Sequence, residues 1–303
     1  MLKSKEFLET KIINENNNGF PELLRRIKNS PQILYVKGNI SLLNKPSIAI
    51  VGSRNYSEYG KKMAKKFTKE LVNEGFAIVS GLAHGIDSFA HEECINSGGK
   101  TIAVIASGFN YIYPEENKKL YEKILRTGGC IITEYPPDIE AKKEYFPTRN
   151  RIISGLSLGT LVIEASFRSG TSITAKYCMQ QNRKLFCIPN SIESKNAMGT
   201  NNLIKKGANL VTKVEDITQV IGEISDKVQV ENVDIKENEE NNNLSGKELL
   251  IYKNVKDKPK SADELAIVTG FSITDVNIIL SMLEIENYIV KSSTNMYKVK
   301  EDD

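Results

Sequence analysis

Ile48-Ala49-Ile50-Val51-Gly52-Ser53-Arg54 is a continuous apolar run that stops abruptly at Gly and Ser. Phe76-Ala77-Ile78-Val79-Ser80-Gly81-Leu82-Ala83-His84-Gly85-Ile86-Asp87 repeats the pattern. Residues 59–74 between them have the spacing of an amphipathic helix. An apolar run with no polar face reads as a strand buried on both sides, as in a parallel sheet covered by helices. Further runs of this kind are Thr101–Ala106, Cys130–Thr133, Thr160–Ile163, Leu185–Ile188 and Asn209–Val211, with amphipathic stretches at 86–97 and 116–127. Strands alternating with helices predict βαβ units. The expected fold over residues 46–222 is α/β, an extended Rossmann-like, doubly wound, mainly parallel sheet. Residues 1–45 read as a short helical lead-in followed by an extended segment, Ile33–Val36.

Residues 223–243 break the pattern. They hold seven acids, two lysines and many asparagines, ending Glu239-Glu240-Asn241-Asn242-Asn243. Such a stretch has too little apolar surface to order itself and is expected to be an acidic, disordered linker. Residues 244–303 read as a small C-terminal domain. Leu244–Leu250 opens a helix, and Ser261 with Glu264 suggests a capping box that starts a second. Gly270 breaks the chain before a third helix over Ser272–Glu286. Tyr288–Val290 and Met296–Val299 follow as a hairpin, giving a winged helix-turn-helix.

The 303 residues carry 41 Lys plus Arg and 38 Asp plus Glu, a formal charge of +3 that conceals a split. Residues 1–222 carry a net +10 and residues 223–303 a net −7, so the two parts are expected to have different partners. A hydrophobic content of 40% with 26% charge is that of a globular chain. No apolar run approaches the roughly 18 residues of a membrane span, and the first residues do not read as a signal peptide. No membrane association is expected. Cys94, Cys130, Cys178 and Cys187 are widely spaced without a CxxC pair, so a cytoplasmic location is expected and neither disulfides nor a zinc site. His84 and His91 have no third partner at ligand spacing.

In a doubly wound sheet, ligands bind beyond the carboxyl ends of the strands. Those ends hold Gly52-Ser53-Arg54, the loop from Ser80 to Asp87, Ser107-Gly108, and Ala165-Ser166-Phe167-Arg168-Ser169-Gly170-Thr171-Ser172 just before a helix. Gly and Ser there let backbone N–H groups approach an anion, and a helix N-terminus adds partial positive charge. Arg54 supplies a fork suited to phosphate. Phe146-Pro147-Thr148-Arg149-Asn150-Arg151 places a ring beside two guanidinium groups, a combination that suits single-stranded nucleic acid, with the ring stacking a base and the cations following the backbone. Each element also has a plainer reading. Gly-Ser-Arg serves equally as a tight strand–helix turn. Arg149 and Arg151 are equally placed to pair with acids such as Glu134 or Glu164, and Phe146 suits the core. Lys61, Lys62, Lys65, Lys66 and Lys69 read as a solvated helix face. No G-x-G-x-x-G follows the first strand, and no Walker motif, nucleophile elbow or HExxH is present. Neither a nucleotide cofactor nor a metal is expected.

At these residues the chain resembles the DNA-processing protein A family (DprA/Smf). The stretches that carry the resemblance are Ile48–Arg54 with Tyr59-Gly60, Ile78–Asp87 with Ala90-His91, and Tyr113-Pro114-Glu115-Glu116-Asn117. Phe146–Ser157, Ser169–Ala175 and Gly199-Thr200-Asn201-Asn202-Leu203-Ile204 complete the set. The resemblance implies a non-catalytic, dimeric single-stranded-DNA-binding protein. Such a protein protects incoming strands, loads the RecA recombinase during natural transformation and recombination, and helps displace single-strand-binding protein. Carried over residue by residue, the DNA pocket comprises Ser53, Arg54, Ser80, Gly81, Gly85, Phe146, Arg149, Arg151, Ser169, Gly170, Thr171 and Ser172. On this reading alanine at Arg54, Arg149 or Arg151 weakens binding to oligothymidine. Two departures are visible. His84 stands where the family usually has Arg, and the N-terminal helical domain of longer members is largely missing.

An enzymatic alternative is a nucleotide phosphoribohydrolase of the lysine-decarboxylase-like type, which also places a Gly-rich loop before a helix. Those enzymes typically follow P-G-G-x-G-T with a catalytic Glu, whereas Arg168–Ala175 has none after it. The third helix of the C-terminal domain carries Asp275, Glu284 and Glu286 and no basic residue, and residues 244–303 contain no arginine. A major-groove reader is expected to be basic, so this domain is expected to bind protein or to self-associate.

Overall fold

The computed structural model describes residues 9–17, 19–166, 169–222, 246–269, 271–286, 288–292 and 295–299. The linker reading over 223–243, and the readings of Leu244, Ser245, Phe167, Arg168 and Gly270, lie outside the described residues. The chain divides into two compact units, residues 1–227 and 228–303.

Among the described residues the first unit is built on nine strands: β1 (Lys11–Asn14), β2 (Ile33–Gly38), β3 (Ser47–Val51), β4 (Ala77–Ser80), β5 (Thr101–Val104), β6 (Cys130–Thr133), β7 (Gly159–Val162), β8 (Lys184–Cys187) and β9 (Asn209–Leu210). The helices around them are α1 (Glu22–Arg25), α2 (Glu58–Asn73), α3 (Ile86–Asn96), α4 (Lys118–Arg126), α5 (Tyr145–Gly155), α6 (Gly170–Gln180) and α7 (Met198–Lys205), with α8 over residues 215–222. The strand order is β1-β2-β6-β5-β4-β3-β7-β8-β9. All pairs from β3 to β9 are parallel. The chain therefore builds outward from β3 in one direction through β4, β5 and β6. It then returns and builds in the other direction through β7, β8 and β9. The reversal lies between β3 and β7, where Val51 stands beside Val162, and it opens a crevice at their carboxyl ends.

Alternation along each strand explains why the runs are apolar throughout. Ala49 and Val51 face one side and pack with Ile152, Ile153 and Ala175 of α5 and α6. Ile48 and Ile50 face the other side and pack with Ala64, Phe67, Leu71, Ile86 and Ala90 of α2 and α3. Both faces are covered, so both registers are mostly apolar, and buried hydroxyls such as those of Ser80 and Thr101 donate to strand carbonyls. The seven strands expected from their apolar runs are all present.

The lead-in differs from the expectation for residues 1–45. Residues 11–14 form a strand, and β2 pairs antiparallel with both β1 and β6. The segment is thus part of the sheet. The one-turn α1 seats Leu24, with nearby Ile27, against Gly155 at the end of α5. Residues 11–14 escape a sequence reading because only Ile13 of the four is buried, as suits an edge strand with one covered position.

The second unit consists of α9 (Gly246–Asp257), α10 (Ala262–Thr269) and α11 (Ile273–Ile285), then a hairpin of β10 (Ile289–Lys291) and β11 (Tyr297–Val299). This is the arrangement of a winged helix. Ser261 Oγ accepts from the Glu264 N–H while the Glu264 carboxylate accepts from the Ser261 N–H at 2.8 Å, which is the expected capping box. Ser272 caps α11 through the Asp275 N–H. Ile251, Leu265, Val276, Leu280, Leu283 and Ile289 form its core. Among the described residues no single helix is long and apolar enough to cross a membrane.

Candidate nucleic-acid interface

The switch-point crevice holds a cavity of about 370 Å³. Gly52, Ser53 and Arg54 after β3 form one wall, and Ser169, Gly170 and Thr171 at the start of α6 form another. Phe146, Arg149 and Asn150 of α5 close it. Two smaller or shallower spaces adjoin. One of about 20 Å³ reaches Gly81, Tyr113 and Phe146, and another of about 490 Å³ reaches Tyr56, His84 and Gly85. Arg54 borders all three.

Arg54 is exposed and makes no hydrogen bond or ion pair among the described residues. Its guanidinium lies 5.5 Å from the centre of the Phe146 ring, a cation–π contact that leaves the N–H fork pointing into solvent. The Tyr113 ring meets Phe146 edge-on at 5.3 Å and is 51% exposed. The first turn of α6 adds donors. Ser169 is extended and makes no side-chain cap, so the N–H groups of Gly170 and Thr171 have no intrahelical partner. Its hydroxyl lies 3.5 Å from that of Ser172. Ser172 is half-buried and is not among the residues that line the cavity.

Arg149 differs from Arg54. It is 4% exposed and donates to the carbonyls of Gly81, at 2.7 Å, and Val104. It therefore ties the ends of β4 and β5 together while lending its charge to the cavity wall. Burial lowers its pKa to about 10, with Asp87 opposing and Arg54 assisting, so it stays protonated near neutrality. Asp87 is buried in turn, and burial pushes its carboxyl up against the pull of Arg149 and of the backbone donors Gly81 and Ala83.

The 81–85 loop uses its own donors. The Gly81 N–H donates to Asp87 Oδ2 at 3.1 Å and the Leu82 N–H to His91 Nε2 at 3.3 Å. His91 is fully buried, with Nδ1 2.7 Å from Thr101 Oγ1, and burial followed by Arg149 holds its pKa down at about 3. His91 therefore fixes the loop as a neutral ring. Gly81 is small because a Cβ there would stand 2.8 Å from Asp87 and 2.9 Å from Arg149. Gly85 has φ +80°, and a Cβ would meet Ser53 O at 2.5 Å. Gly85 lets the β4 loop pack on the β3 loop, Gly81 lets Asp87 and Arg149 close on the end of β4, and the Gly81 N–H is taken by Asp87 rather than offered to the cavity.

Two other residues of the expected pocket do not reach the cavities. Ser80 is buried in β4 and donates to Ile50 O at 2.6 Å. Arg151 makes a bidentate pair with Glu134, at 2.9 and 2.7 Å, and donates to Asn29 O at 3.0 Å. α5 turns it to the face opposite Phe146. Of the two acids expected for these arginines, Glu134 takes Arg151. Glu164 lies buried at the start of α2, where it accepts from the Ser57 N–H and hydroxyl. Ser53, Arg54, Gly81, Gly85, Phe146, Arg149, Ser169, Gly170 and Thr171 are brought together around the three cavities. Tyr113, Tyr56, Phe89 and Asn55 also line them. Tyr113 stands in a stretch that carries the family resemblance, whereas no sequence signal marks Tyr56 or Phe89. Among the described residues no three His, Cys, Asp or Glu side chains come together as a metal site.

The family model for DNA recombination-mediator protein A matches residues 11–222. The DNA processing protein DprA of Bacillus subtilis is 42% identical over 205 residues, 67% of this chain and 69% of that protein. DprA of Streptococcus pneumoniae is 42% identical over 214 residues, 71% of this chain and 75% of the relative. The crystal structure of the Streptococcus pneumoniae protein matches with a TM-score of 0.67 over 71% of this chain and 76% of that one. A DprA structure from Helicobacter pylori, described for its single-stranded DNA binding mode, matches at 28% identity. Its TM-score is 0.63, over 73% of this chain and 98% of that one. With the family model over residues 11–222 and relatives 42% identical across two thirds of the chain or more, the chain belongs to the DNA recombination-mediator protein A family.

Proposed function

We propose that this protein binds single-stranded DNA in the switch-point crevice and acts without catalysis in the cytoplasm. It protects incoming strands and hands them to a RecA-type recombinase, displacing single-strand-binding protein, as a homodimer. The observation that carries the reading is Arg54. It is an exposed guanidinium with no acidic partner among the described residues, held against Phe146 between the cavities and facing the uncapped first turn of α6. Phosphate suits the fork and the helix start, and a base suits the rings of Phe146 and Tyr113. The relatives named for DNA processing and for single-strand binding support the same substrate.

The enzymatic alternative gains nothing from the geometry. A phosphoribohydrolase needs a free carboxylate beside the ribose, and the carboxylates near this crevice are engaged by Gly81 and Ser57. Titration of oligothymidine and a duplex of equal length across a salt series tests the proposal. Single strands are expected to bind more tightly, with log affinity falling linearly in log salt at a slope of about −0.7 per phosphate contacted. Equal or stronger duplex binding, or affinity independent of salt, would overturn it. Addition of a RecA-type recombinase to coated strands tests the loading step, which is expected to shorten the lag of filament growth.

A further inference from the structure

Beyond the Phe146 crevice, a second concavity of about 490 Å³ opens on the other side of Arg54. Its size falls within the range of small-ligand sites, roughly 300–1,000 Å³. Tyr56 and Phe89 line it, with their rings in edge-to-face contact at 4.6 Å and an interplanar angle of 89°. Tyr56 is 39% exposed, a large aromatic surface left in water beside a cation. Lys61 Nζ lies 5.5 Å from the centre of the Phe89 ring, so one of the lysines read as solvated is turned onto this wall. Phe89 is set by α3, whose start is locked to the β3 loop through the Ile86 N–H and Ser53 O at 3.3 Å. Tyr56 is set by the same β3 loop that carries Arg54.

We propose that the Tyr56–Phe89 concavity is a second nucleobase subsite, continuous with the first through Arg54, so that consecutive bases of one strand seat on both sides of a single guanidinium. The inference rests on the single-strand reading above. The charge distribution orients the strand. His84 of the lining has Glu116 beside it, 3.5 Å from Nε2, and a carboxylate there repels phosphate. Arg54 on the near rim attracts it. The phosphate between the two nucleotides therefore lies at Arg54, and the second base turns away from it onto the exposed Tyr56 ring. Stacking is tolerant of base identity because every base presents a π-face, so the subsite adds affinity without sequence preference.

The test uses the full chain with an oligothymidine of about 12 nucleotides and compares Tyr56→Ala, Tyr56→Phe and Arg54→Ala. Tyr56→Ala is expected to weaken binding about tenfold, as loss of one stacked base does, with the melting temperature and the slope of log affinity against log salt unchanged. Tyr56→Phe keeps the ring and is expected to bind as the parent does. Arg54→Ala is expected to reduce the slope by about one. Parent-like binding by Tyr56→Ala, alongside weakened Arg54→Ala, overturns the subsite and leaves the first crevice standing. A loss in Tyr56→Ala that comes with a reduced salt slope also overturns it, because the contact would then be ionic. Absence of single-strand binding by the parent chain overturns the subsite and the underlying reading together.

Discussion

Arg54, Arg149 and Arg151 read alike in the sequence, as cations near glycine-rich loops, yet burial gives them three different roles. Among the described residues the Arg54 guanidinium has the Phe146 ring as its ring contact and no hydrogen bond. Arg54→Ala is therefore expected to leave the melting temperature within about a degree, because no hydrogen bond is lost, while weakening oligothymidine binding. Arg149 holds two strand-end carbonyls. Its replacement by alanine leaves those acceptors buried and is expected to cost about 2–4 kcal/mol in denaturant unfolding. Arg151 and Glu134 are 11% and 16% exposed and fully paired. Arg151→Ala is expected to cost about 3 kcal/mol by stranding Glu134, with the affinity of the folded fraction unchanged. A binding loss in Arg151→Ala at full folding would return it to the pocket. Residue type announces a cation, but only the helix phase of α5 decides that Arg149 and Phe146 face the crevice and Arg151 does not. His91 makes a pH prediction. Its folded pKa, about 3, lies below the 6.5 of an unperturbed ring, so the unfolded chain binds the extra proton between those values. Stability is present in full above pH 6.5 and falls as pH drops, by up to about 1.4 kcal/mol per pH unit. In His91→Gln, compared by denaturant unfolding at pH 7 and pH 5, that part of the slope is expected to vanish.

The elements that the sequence makes legible are those whose both faces are buried. The runs at 48–51, 101–104, 130–133 and 185–188 contain no polar position facing water, and each is a strand of the sheet. The antiparallel edge was not legible, because β1 exposes three of its four residues and propensity there is too weak to oppose a loop reading. α5 was obscured by Pro147, which is accommodated because the first turn of a helix needs no N–H from that position. Interlocking of the β3 and β4 loops was legible only as glycines, without the reason for them. That reason is steric at Gly85, where φ is +80° and the Ser53 carbonyl stands where a Cβ would be. Gly85→Ala is expected to lower stability by more than about 1 kcal/mol and to move Arg54 away from Phe146. Thermal melting reads the first effect and oligothymidine affinity the second. Unchanged melting would mean that the two loops are not held together in this way.

For the whole molecule, the charge split of +10 and −7 separates two kinds of surface. The first unit presents cations and rings at the end of its sheet. The second presents α11, with Asp275 and Glu284 as its charged residues and with Ile278 and Met282 exposed at 55% and 45% on one side. In a winged helix the corresponding helix enters a DNA groove when it is basic. Here a phosphate backbone would meet acids and methyl groups, a loss on both electrostatic and desolvation grounds. Removal of residues 244–303 is therefore expected to leave the affinity for oligothymidine within about twofold and its salt slope unaltered, because no counterion-releasing contact is lost. Duplex affinity is expected to hold or to rise slightly as net acidic charge is removed. The measurement is the salt series on the full and shortened chains side by side. A loss of more than about tenfold, or a slope smaller by one or more, would locate phosphate contacts in the second unit and overturn the expectation that its helix meets protein.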